Sequence, residues 1–240
     1  MADLLLIRHG QARYGEADYD RLSDRGHEQA RHVGAALTQR APTRVFTGPM
    51  RRQVETYASA RAAAAEAGAA LPEPELLPEL AEYPAFELIA GLWSRLGELP
   101  EFADAAGAAD AAQAADPRQR ERAFEALLMR WASGAWNVPG VETAAEFAAR
   151  VERGLLRVMA AGGSGQRVAA VTSAGPIAVA MGLTLGASEE RMIALSRVVQ
   201  NASFSVLRFR SQAPAFHPTG VSMFTFNLTT HLPSALVTDR

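Results

Sequence analysis

Near its start the chain reads Leu4-Leu5-Leu6-Ile7-Arg8-His9-Gly10-Gln11. The four uninterrupted apolar residues predict a strand that is buried on both faces, as in a parallel sheet. The run ends in a cation, an imidazole and a glycine, at the position where open α/β sheets hold their ligands. Arg8 can grip an anionic oxygen with two N–H groups, His9 can act as a nucleophile, and Gly10 lets the backbone approach a ligand. The stretch therefore indicates a histidine that attacks a phosphoryl group, and a solvent-exposed Arg-His pair at a strand end is the simpler alternative.

The composition excludes several classes of chemistry. All 24 basic residues are Arg, which excludes Lys-based catalysis, and the absence of Cys excludes a disulfide, a thiolate nucleophile and a Cys-ligated zinc site. A formal charge of -2 provides no general attraction to nucleic acid or to an anionic membrane. The apolar run at the start is shorter than a signal peptide requires, and no stretch approaches the length of a membrane span. We therefore expect a soluble, cytoplasmic protein with neither a nucleic acid nor a membrane as partner.

A second strand is predicted at residues 44–47, followed by a helix from Pro49 to about residue 68. Arg51 and Arg52 then lie at the N-terminus of this helix, where the helix dipole disfavours a cation. An arginine at such a position is explained if an anion binds beside it, because unpaired backbone N–H groups also point there. The alternative is an ordinary exposed pair of arginines, and one of the two is expected to be just that.

A third strand is predicted at residues 167–172, and the turn Ser173-Ala174-Gly175 leads into a helix that begins at Pro176. Small residues at a helix N-terminus again leave backbone N–H groups open to an anion. Three strand ends therefore carry groups that can bind an anion.

The remaining pattern predicts one domain, residues 1–240, without internal repeats or a linker. Ser23 or Asp24 is the predicted N-cap of the first helix, and Thr143 that of a later one. The predicted elements are a helix over 24–40, a loop over 71–84, helices within 86–135, a helix from Thr143 to about 161, a helix from Ser188, and antiparallel strands over 203–210 and 221–226. The Ala-rich residues 103–115 are interpreted as a connection between helices. We interpret about 85–135 as a helical insertion that caps the site.

Several of these segments are similar, in the right order, to motifs of the histidine phosphatase superfamily, also called the phosphoglycerate mutase-like family. Residues 7–11 match its RHG signature, 22–30 resemble its LS…G…QA helix start, and 47–56 resemble its SPLxRAxQT motif. Residues 80–83 resemble the loop that bears its acidic proton donor, and 171–177 resemble its VTHGGPI junction. The resemblance covers nearly the whole chain. It implies a three-layer α/β/α fold with a mostly parallel sheet, an antiparallel edge strand and a helical insertion over the site.

The resemblance assigns phosphate-binding roles to residues of this chain. His9 is implied as the nucleophile that forms a phosphohistidine, and alignment with the SPLxRAxQT motif puts the phosphate-binding arginine on Arg52 instead of Arg51. Arg8 and Arg52 would hold the phosphoryl oxygens. Ser173 and the helix N-terminus at Gly175 would add further donors.

The resemblance also implies an acid. Glu82 is the implied general acid, which protonates the leaving oxygen and later activates water. Glu79 is the rival acid, and either carboxylate could instead be a solvated loop residue. Gln11, Tyr14 and the insertion are expected to shape substrate access. Neither a metal nor another cofactor is expected, since the arginines supply the positive charge, and the expected partner is a phosphorylated small molecule or a phosphoprotein.

The chain departs from the family pattern at the third junction, where Ser173 replaces the second histidine and Ala174 replaces a glycine. A serine can donate one O–H hydrogen bond but supplies no cation. The loss of one charge-assisted donor to a transferring phosphoryl group costs about 3 kcal/mol, or about a hundredfold in rate. Ser173→His is therefore expected to raise turnover if the missing cation limits it. The junction resembles the TSGGPI form of a family subgroup, and His231, which could fill the gap, is assigned a supporting or structural role.

Two functions of different class follow from the sequence. The first is a metal-independent phosphatase that hydrolyses phosphomonoesters through a phosphohistidine on His9. The second is a weakly active or inactive family member that binds phosphate or a phosphorylated ligand without the second histidine. Phosphoglycerate mutase activity is less favoured, because nothing in the sequence marks a pocket that retains a bisphosphate. The physiological substrate and the oligomeric state stay open, a homodimer included.

Overall fold

Strand β1 lies inside a six-stranded sheet formed by the described residues, which are 1–13, 18–99, 102 and 117–239 of this computed structural model. The strands in chain order are β1 (Ala2–Arg8), β2 (Arg44–Thr47), β3 (Pro74–Leu76), β4 (Arg167–Thr172), β5 (Phe204–Phe209) and β6 (Val221–Leu228). Their order across the sheet is β3-β2-β4-β1-β5-β6. Strands β1 to β4 run parallel to one another, β5 runs antiparallel to β1, and β6 runs antiparallel to β5. The predicted mostly parallel sheet is confirmed, and the predicted antiparallel pair forms its edge, with β6 outermost.

Seven α-helices flank the sheet in the described part of the chain. They are α1 (Asp24–Arg40), α2 (Arg51–Glu66), α3 (Ala85–Leu92), α4 (Pro117–Ala132), α5 (Ala144–Ala160), α6 (Ala174–Leu185) and α7 (Glu189–Ser196). Short 3-10 helices cover Pro78–Leu80, Trp93–Glu98 and Ser234–Leu236. None of the helices in these ranges is both long enough and apolar enough to cross a membrane.

The core is divided by the sheet into two apolar clusters, because neighbouring residues of a strand point to opposite faces. Leu5 and Ile7 of β1 pack with Tyr57 of α2 on one face. Leu4 and Leu6 belong to the larger cluster on the other face, which includes side chains of α4, α5, α6 and α7. All four β1 residues are at most 2% exposed. The three-layer α/β/α architecture implied by the resemblance is therefore confirmed.

Local signals placed several helix ends correctly. The Ser23 hydroxyl accepts a hydrogen bond from the Gly26 N–H, as expected of the N-cap of α1. Thr143 caps α5 in the same way, and the Glu146 carboxylate accepts the Thr143 N–H in return.

Three expectations about element boundaries are wrong. Helix α2 begins at Arg51 with Met50 as its N-cap, so Pro49 lies outside it. Helix α6 begins at Ala174, two residues before Pro176. The stretch 71–84, predicted as a loop, contains β3 and the 3-10 helix Pro78–Leu80; all three residues of β3 are exposed, and the strand pairs in parallel with β2. The Pro-Glu-Leu sequence of β3 lacks the alternation of apolar and polar residues that predicts a strand. It forms a strand because it pairs with β2.

The segment interpreted as an insertion contributes α3, the 3-10 helix Trp93–Glu98 and α4. It is anchored by an aromatic cluster in which the Trp131 ring of α4 lies 5.7 Å from the Tyr83 ring and 6.1 Å from the Phe147 ring. The Trp131 indole N–H donates to the Glu142 carbonyl at 3.1 Å. The predicted connection at 103–115 lies outside the described residues. Tyr83 follows Glu82 in the chain, so the insertion packs directly against the segment that holds the predicted acid.

The end of α1 provides a test of local backbone energetics. Ala41 adopts a left-handed conformation with φ 45° and ψ 61°, and its N–H donates to the Leu37 carbonyl. Glycine reaches this region without the Cβ clash that an alanine meets. We expect Ala41→Gly to raise the free energy of unfolding by about 0.5–1 kcal/mol, measured by urea denaturation. Ala67 ends α2 at φ -86°, so Ala67→Gly is the matched control and should lower stability. Equal effects of the two substitutions would contradict the explanation.

Candidate active site

The three predicted junctions meet because β1, β2 and β4 are neighbours that run in the same direction. Arg8 and Thr172 are paired across β1 and β4, and Thr47 and Val171 are paired across β2 and β4. The His9 N–H donates to the Thr172 carbonyl at 2.9 Å. His9, Gly48 and Ser173 are therefore the next residues of three adjacent strand ends. They lie at the carboxyl edge of the sheet, where the sequence placed the site.

His9 is held as a neutral imidazole with a defined tautomer. Its side chain is buried, and Nε2 lies 3.1 Å from the Nε–H of Arg52, which can only donate. The proton of the ring is therefore on Nδ1, which donates to the Gly10 carbonyl at 2.7 Å. Burial and the positive charges of Arg52 and Arg8 hold the pKa of His9 well below its usual value. Nε2 consequently carries no proton near neutral pH, and its lone pair accepts the Arg52 Nε–H.

Arg52 is the member of the arginine pair that points into the site. It is 4% exposed, and its guanidinium Nη1 donates to the Asp20 carboxylate at 2.6 Å. Its Cζ lies 5.3 Å from the centre of the Tyr19 ring. Arg51 is exposed and pairs with Glu55 at 2.6 Å. The hypothesis that one of the two arginines is an ordinary surface residue therefore applies to Arg51.

Arg8 reaches the same region from the end of β1. Its Nη1 donates to the carbonyls of Val199 and Asp239, the latter at 2.8 Å. Its Nε–H is buried and has no hydrogen-bond partner in the described part of the chain. Burial lowers the pKa of Arg8, while the charge of Glu82 opposes this. A buried guanidinium N–H without a partner is costly, and an anionic ligand would satisfy it.

Glu82 lies on the N-terminus of α6. Its Oε2 accepts the Gly175 N–H at 3.1 Å, and its Oε1 accepts the Tyr83 N–H at 3.1 Å. Burial raises the pKa of Glu82, although these N–H groups and the charges of Arg52 and Arg8 oppose the rise. A Cβ on Gly175 would lie 2.0 Å from Glu82 Oε1, so only glycine leaves room for the carboxylate. The Gly175 N–H, predicted to bind phosphate, thus holds Glu82 in this structure.

Glu79, the rival acid, has a different environment. Its Oε1 forms an ion pair with Arg157 at 2.7 Å on the outside of α5. Burial raises the pKa of Glu79, but its own backbone N–H and Arg157 together bring it below the usual value. Glu79 is therefore kept ionised, whereas Glu82 is moved toward the protonated form that a general acid needs.

The other predicted residues divide between the site and its supports. Ser173 is fully buried, and its Oγ accepts a hydrogen bond from Gln53 Nε2 at 2.8 Å. Gln11 Oε1 accepts the Ser23 hydroxyl at 3.0 Å, so this side chain contacts the cap of α1. Tyr14 lies outside the described residues. His231 packs edge-on against Phe204 with ring centres 4.9 Å apart.

The environment of His231 supports a structural role. Burial and the charge of Arg40 lower its pKa to about 4, so the ring is neutral at pH 7. The charged groups that affect the pKa of His9 are Arg52 and Arg8. A buried neutral ring against an aromatic side chain cannot replace a missing cation.

The sequence did not identify three side chains of the site: Tyr19, Asp20 and Gln53. Asp20 contacts Arg52, and its second oxygen accepts the Arg51 N–H at 2.9 Å. Tyr19 contacts Phe86 of α3, with ring centres 5.9 Å apart, which brings the insertion to the edge of the site. No local pattern signals these contacts. Gln53 carried one signal, because the SPLxRAxQT motif has Ala at that position.

Several solved structures are similar to this chain over nearly its whole length. A comparison with curated proteins gave no match. Glucosyl-3-phosphoglycerate phosphatase from mycobacteria superposes with a TM-score of 0.63 at 21% identity, covering 95% of this chain and 99% of that one. Phosphoserine phosphatase from Entamoeba histolytica, solved with 3-phosphoglyceric acid, gives 0.61 at 17% identity, covering 97% and 100%. YhfR from Bacillus stearothermophilus gives 0.67 at 15% identity, covering 96% and 99%.

These similarities establish a shared fold, and the family model extends them to the sequence. The model described as histidine phosphatase superfamily (branch 1) matches residues 4–113 and 109–220. The matched ranges include residues 4–8 of β1, both arginines at the start of α2, Glu82 and the junction between β4 and α6. The chain therefore belongs to the histidine phosphatase superfamily.

Proposed function

We propose that the protein is a metal-independent phosphatase that hydrolyses phosphomonoesters through a phosphohistidine on His9. The observation that carries the proposal is the neutral His9 ring, whose Nε2 lone pair faces Arg52 while Nδ1–H is held by the Gly10 carbonyl. A protonated ring would have no lone pair with which to attack phosphorus. The unsatisfied Nε–H of Arg8 adds a second site for a phosphoryl oxygen.

In the first half of the reaction, a phosphoryl oxygen takes the Nε–H of Arg52 from His9. The Nε2 lone pair then forms a bond to phosphorus while the ester P–O bond breaks. The leaving oxygen receives the proton of Glu82, whose raised pKa keeps a protonated fraction available. Arg8 and Arg52 stabilise the charge on the non-bridging oxygens throughout.

In the second half, water attacks the phosphohistidine. The Glu82 carboxylate accepts a proton of that water, the P–N bond breaks, and the electron pair returns to Nε2. Inorganic phosphate leaves, and both side chains recover their starting protonation states. The similarity to phosphatases that act on phosphoserine and on glucosyl-3-phosphoglycerate supports a phosphomonoester as substrate. A phosphorylated small molecule and a phosphoprotein both meet this description.

A phosphate-binding protein with little or no turnover is the second candidate. It is favoured by Ser173, which supplies no cation where the family pattern has a histidine, and by Asp20, which already occupies Arg52. Such a protein would bind phosphate through Arg8 and Arg52 without forming a covalent intermediate.

Trapping of the phosphoenzyme separates the two functions. Rapid acid-free quenching of the protein with ³²P-labelled 4-nitrophenyl phosphate should give a base-stable, acid-labile phosphoenzyme that is absent in His9→Ala. His217 is an exposed turn residue, and His217→Ala is the matched control, with labelling unchanged. Phosphate binding by calorimetry without any labelled protein would favour the binding function instead.

The role of Glu82 predicts a dependence on the leaving group. A nitrophenolate departs without protonation, whereas an alkoxide requires an acid. We therefore expect Glu82→Gln to lower kcat/KM for an alkyl phosphate by about 10²–10⁴-fold and to change kcat/KM for 4-nitrophenyl phosphate much less. Glu79→Gln is the control and should leave the ratio of the two values unchanged. If Glu79→Gln alone changes the ratio, the assignment of the acid is wrong.

The same assignment fixes the sign of the pH dependence. Because burial raises the pKa of Glu82, the protonated form is lost as the pH rises through that raised value. The alkyl to aryl ratio of kcat/KM in the wild-type protein, divided by the same ratio in Glu82→Gln, should therefore fall with increasing pH. The two phosphate groups ionise at different pH values, and the division removes that difference because both proteins meet the same two substrates.

Gly175→Ala tests how Glu82 is positioned. The new Cβ would lie 2.0 Å from Glu82 Oε1, so the carboxylate must move away from the N-terminus of α6. We expect a loss of about 10²-fold in kcat/KM for the alkyl phosphate, approaching that of Glu82→Gln. Gly182→Ala, on the same helix but against the flexible Met192 side chain, is the control. Equal losses in the two variants would indicate a general effect on α6.

A further inference from the structure

Gln53 lies beside Arg52 in the first turn of α2 and reaches the end of β4. Its Nε2 donates to Ser173 Oγ at 2.8 Å, across a separation of 120 residues in the chain. Both side chains are fully buried, at 0% exposed. A buried polar pair of this kind is stable only if its hydrogen bonds are satisfied.

The amide of Gln53 has one orientation. Its Oε1 accepts the Met50 N–H at 3.0 Å, and its Nε2 also donates to the Leu80 carbonyl at 3.2 Å. Reversing the amide would place an oxygen against the Leu80 carbonyl, so Nε2 must face Ser173. Gly48 provides the space, because a Cβ there would lie 2.1 Å from Gln53 Oε1.

The orientation of Gln53 determines that of the Ser173 hydroxyl. Nε2 can only donate, so Ser173 Oγ must be the acceptor. In the described part of the chain this is the one hydrogen bond of that oxygen, and its own proton has no acceptor. The Thr172 carbonyl beside Ser173 accepts the His9 N–H, so Ser173 and His9 follow the ends of two paired strands, β4 and β1. Ser173 therefore brings an unused hydroxyl proton to the same edge of the sheet as His9.

We propose that Gln53 and Ser173 act as one unit that replaces the second histidine of the family pattern, Gln53 being a positioning residue and Ser173 the donor to a phosphoryl oxygen. The proposal rests on the phosphatase function proposed above. The volumes of the two positions support it. In the motifs that these segments resemble, residue 53 is a small Ala and residue 173 a large His, and this chain has a large and a small residue instead.

This proposal leads to the opposite result for Ser173→His from the one expected if the missing cation limits turnover. An imidazole at residue 173 would meet the buried Gln53 amide, whose Nε2 lies 2.8 Å from Ser173 Oγ. The single substitution should therefore lower both turnover and stability. Removal of the Gln53 side chain is required before a histidine can be accommodated.

A double-mutant cycle tests the coupling. We expect Ser173→Ala and Gln53→Ala each to lower kcat for 4-nitrophenyl phosphate by 10- to 100-fold, with KM changed less than threefold. The affinity for vanadate should fall in parallel with kcat, and the affinity for phosphate should fall less. The double variant should be no slower than Ser173→Ala, because Gln53 acts through Ser173. Multiplicative losses, or a wild-type kcat in Ser173→Ala, would overturn the proposal.

A second pair of variants tests the exchange of volumes. Gln53→Ala/Ser173→His should have a kcat at least tenfold above that of Ser173→His and a higher melting temperature. If Ser173→His fails to fold while the double variant folds, the steric part of the proposal is supported. A Ser173→His variant as stable and active as wild type would refute it.

Labelling of His9 in the wild-type protein keeps the two proposals distinct. If the wild-type protein is labelled and Ser173→Ala keeps the wild-type kcat, the proposal of a Gln53–Ser173 unit is overturned while the phosphatase function stands. An unlabelled wild type defeats the phosphatase, and the unit is then tested by phosphate affinity, which Ser173→Ala and Gln53→Ala should lower equally. Unchanged phosphate affinity in both variants would overturn it.

Discussion

A neutral imidazole enclosed with two guanidinium groups is the constraint on which the site depends. Arg52 and Arg8 both lower the pKa of His9, and burial acts in the same direction. In the proposed reaction, the cations that would bind a phosphoryl group therefore also keep His9 deprotonated. The Gly10 carbonyl then determines which ring nitrogen keeps the proton. The site needs few charged groups, because each of the two arginines would bind the phosphoryl group and also lowers the pKa of His9.

The fold supplies this arrangement through parallel strands that end together. Strands β1, β4 and β2 are adjacent, and each is followed along the chain by a helix. Two of those helix N-termini are already occupied by carboxylates, Asp20 on α2 and Glu82 on α6. Buried N–H groups at helix ends need such partners. The Gly175 N–H at the N-terminus of α6, which the sequence assigned to phosphate binding, thus holds Glu82 in place.

Much of the fold could be predicted from the sequence because its signals are local. The apolar run of β1 and the caps at Ser23 and Thr143 each depend on residues close together in the chain. The start of α2 was misplaced because Pro49 is a favourable first helical residue, whereas the Gln53 side chain holds the Met50 N–H and fixes the cap there. Strand β3 escaped detection because its identity comes from pairing with β2.

The site was only partly predictable for a related reason. Motifs identify His9, Arg52 and Glu82, but the Arg52–Asp20 and Gln53–Ser173 contacts join residues 32 and 120 positions apart. No pattern within either segment specifies its partner. The choice between Glu79 and Glu82 likewise needed three-dimensional information, because α5 supplies Arg157 to one and α6 supplies an N–H to the other.

The Asp20 carboxylate affects the free energy with which an anionic ligand would enter and leave the site. It spans Arg52 Nη1 and the Arg51 N–H, which makes it an internal counterion at the place where an anion would sit. An incoming phosphate would exchange with this carboxylate instead of neutralising a bare cation, so much of the Coulombic gain on arrival is offset. The same exchange, run backwards, would help expel the product, since the tethered carboxylate returns at a high effective concentration. In the proposed phosphatase, such a counterion would favour release of phosphate over its retention.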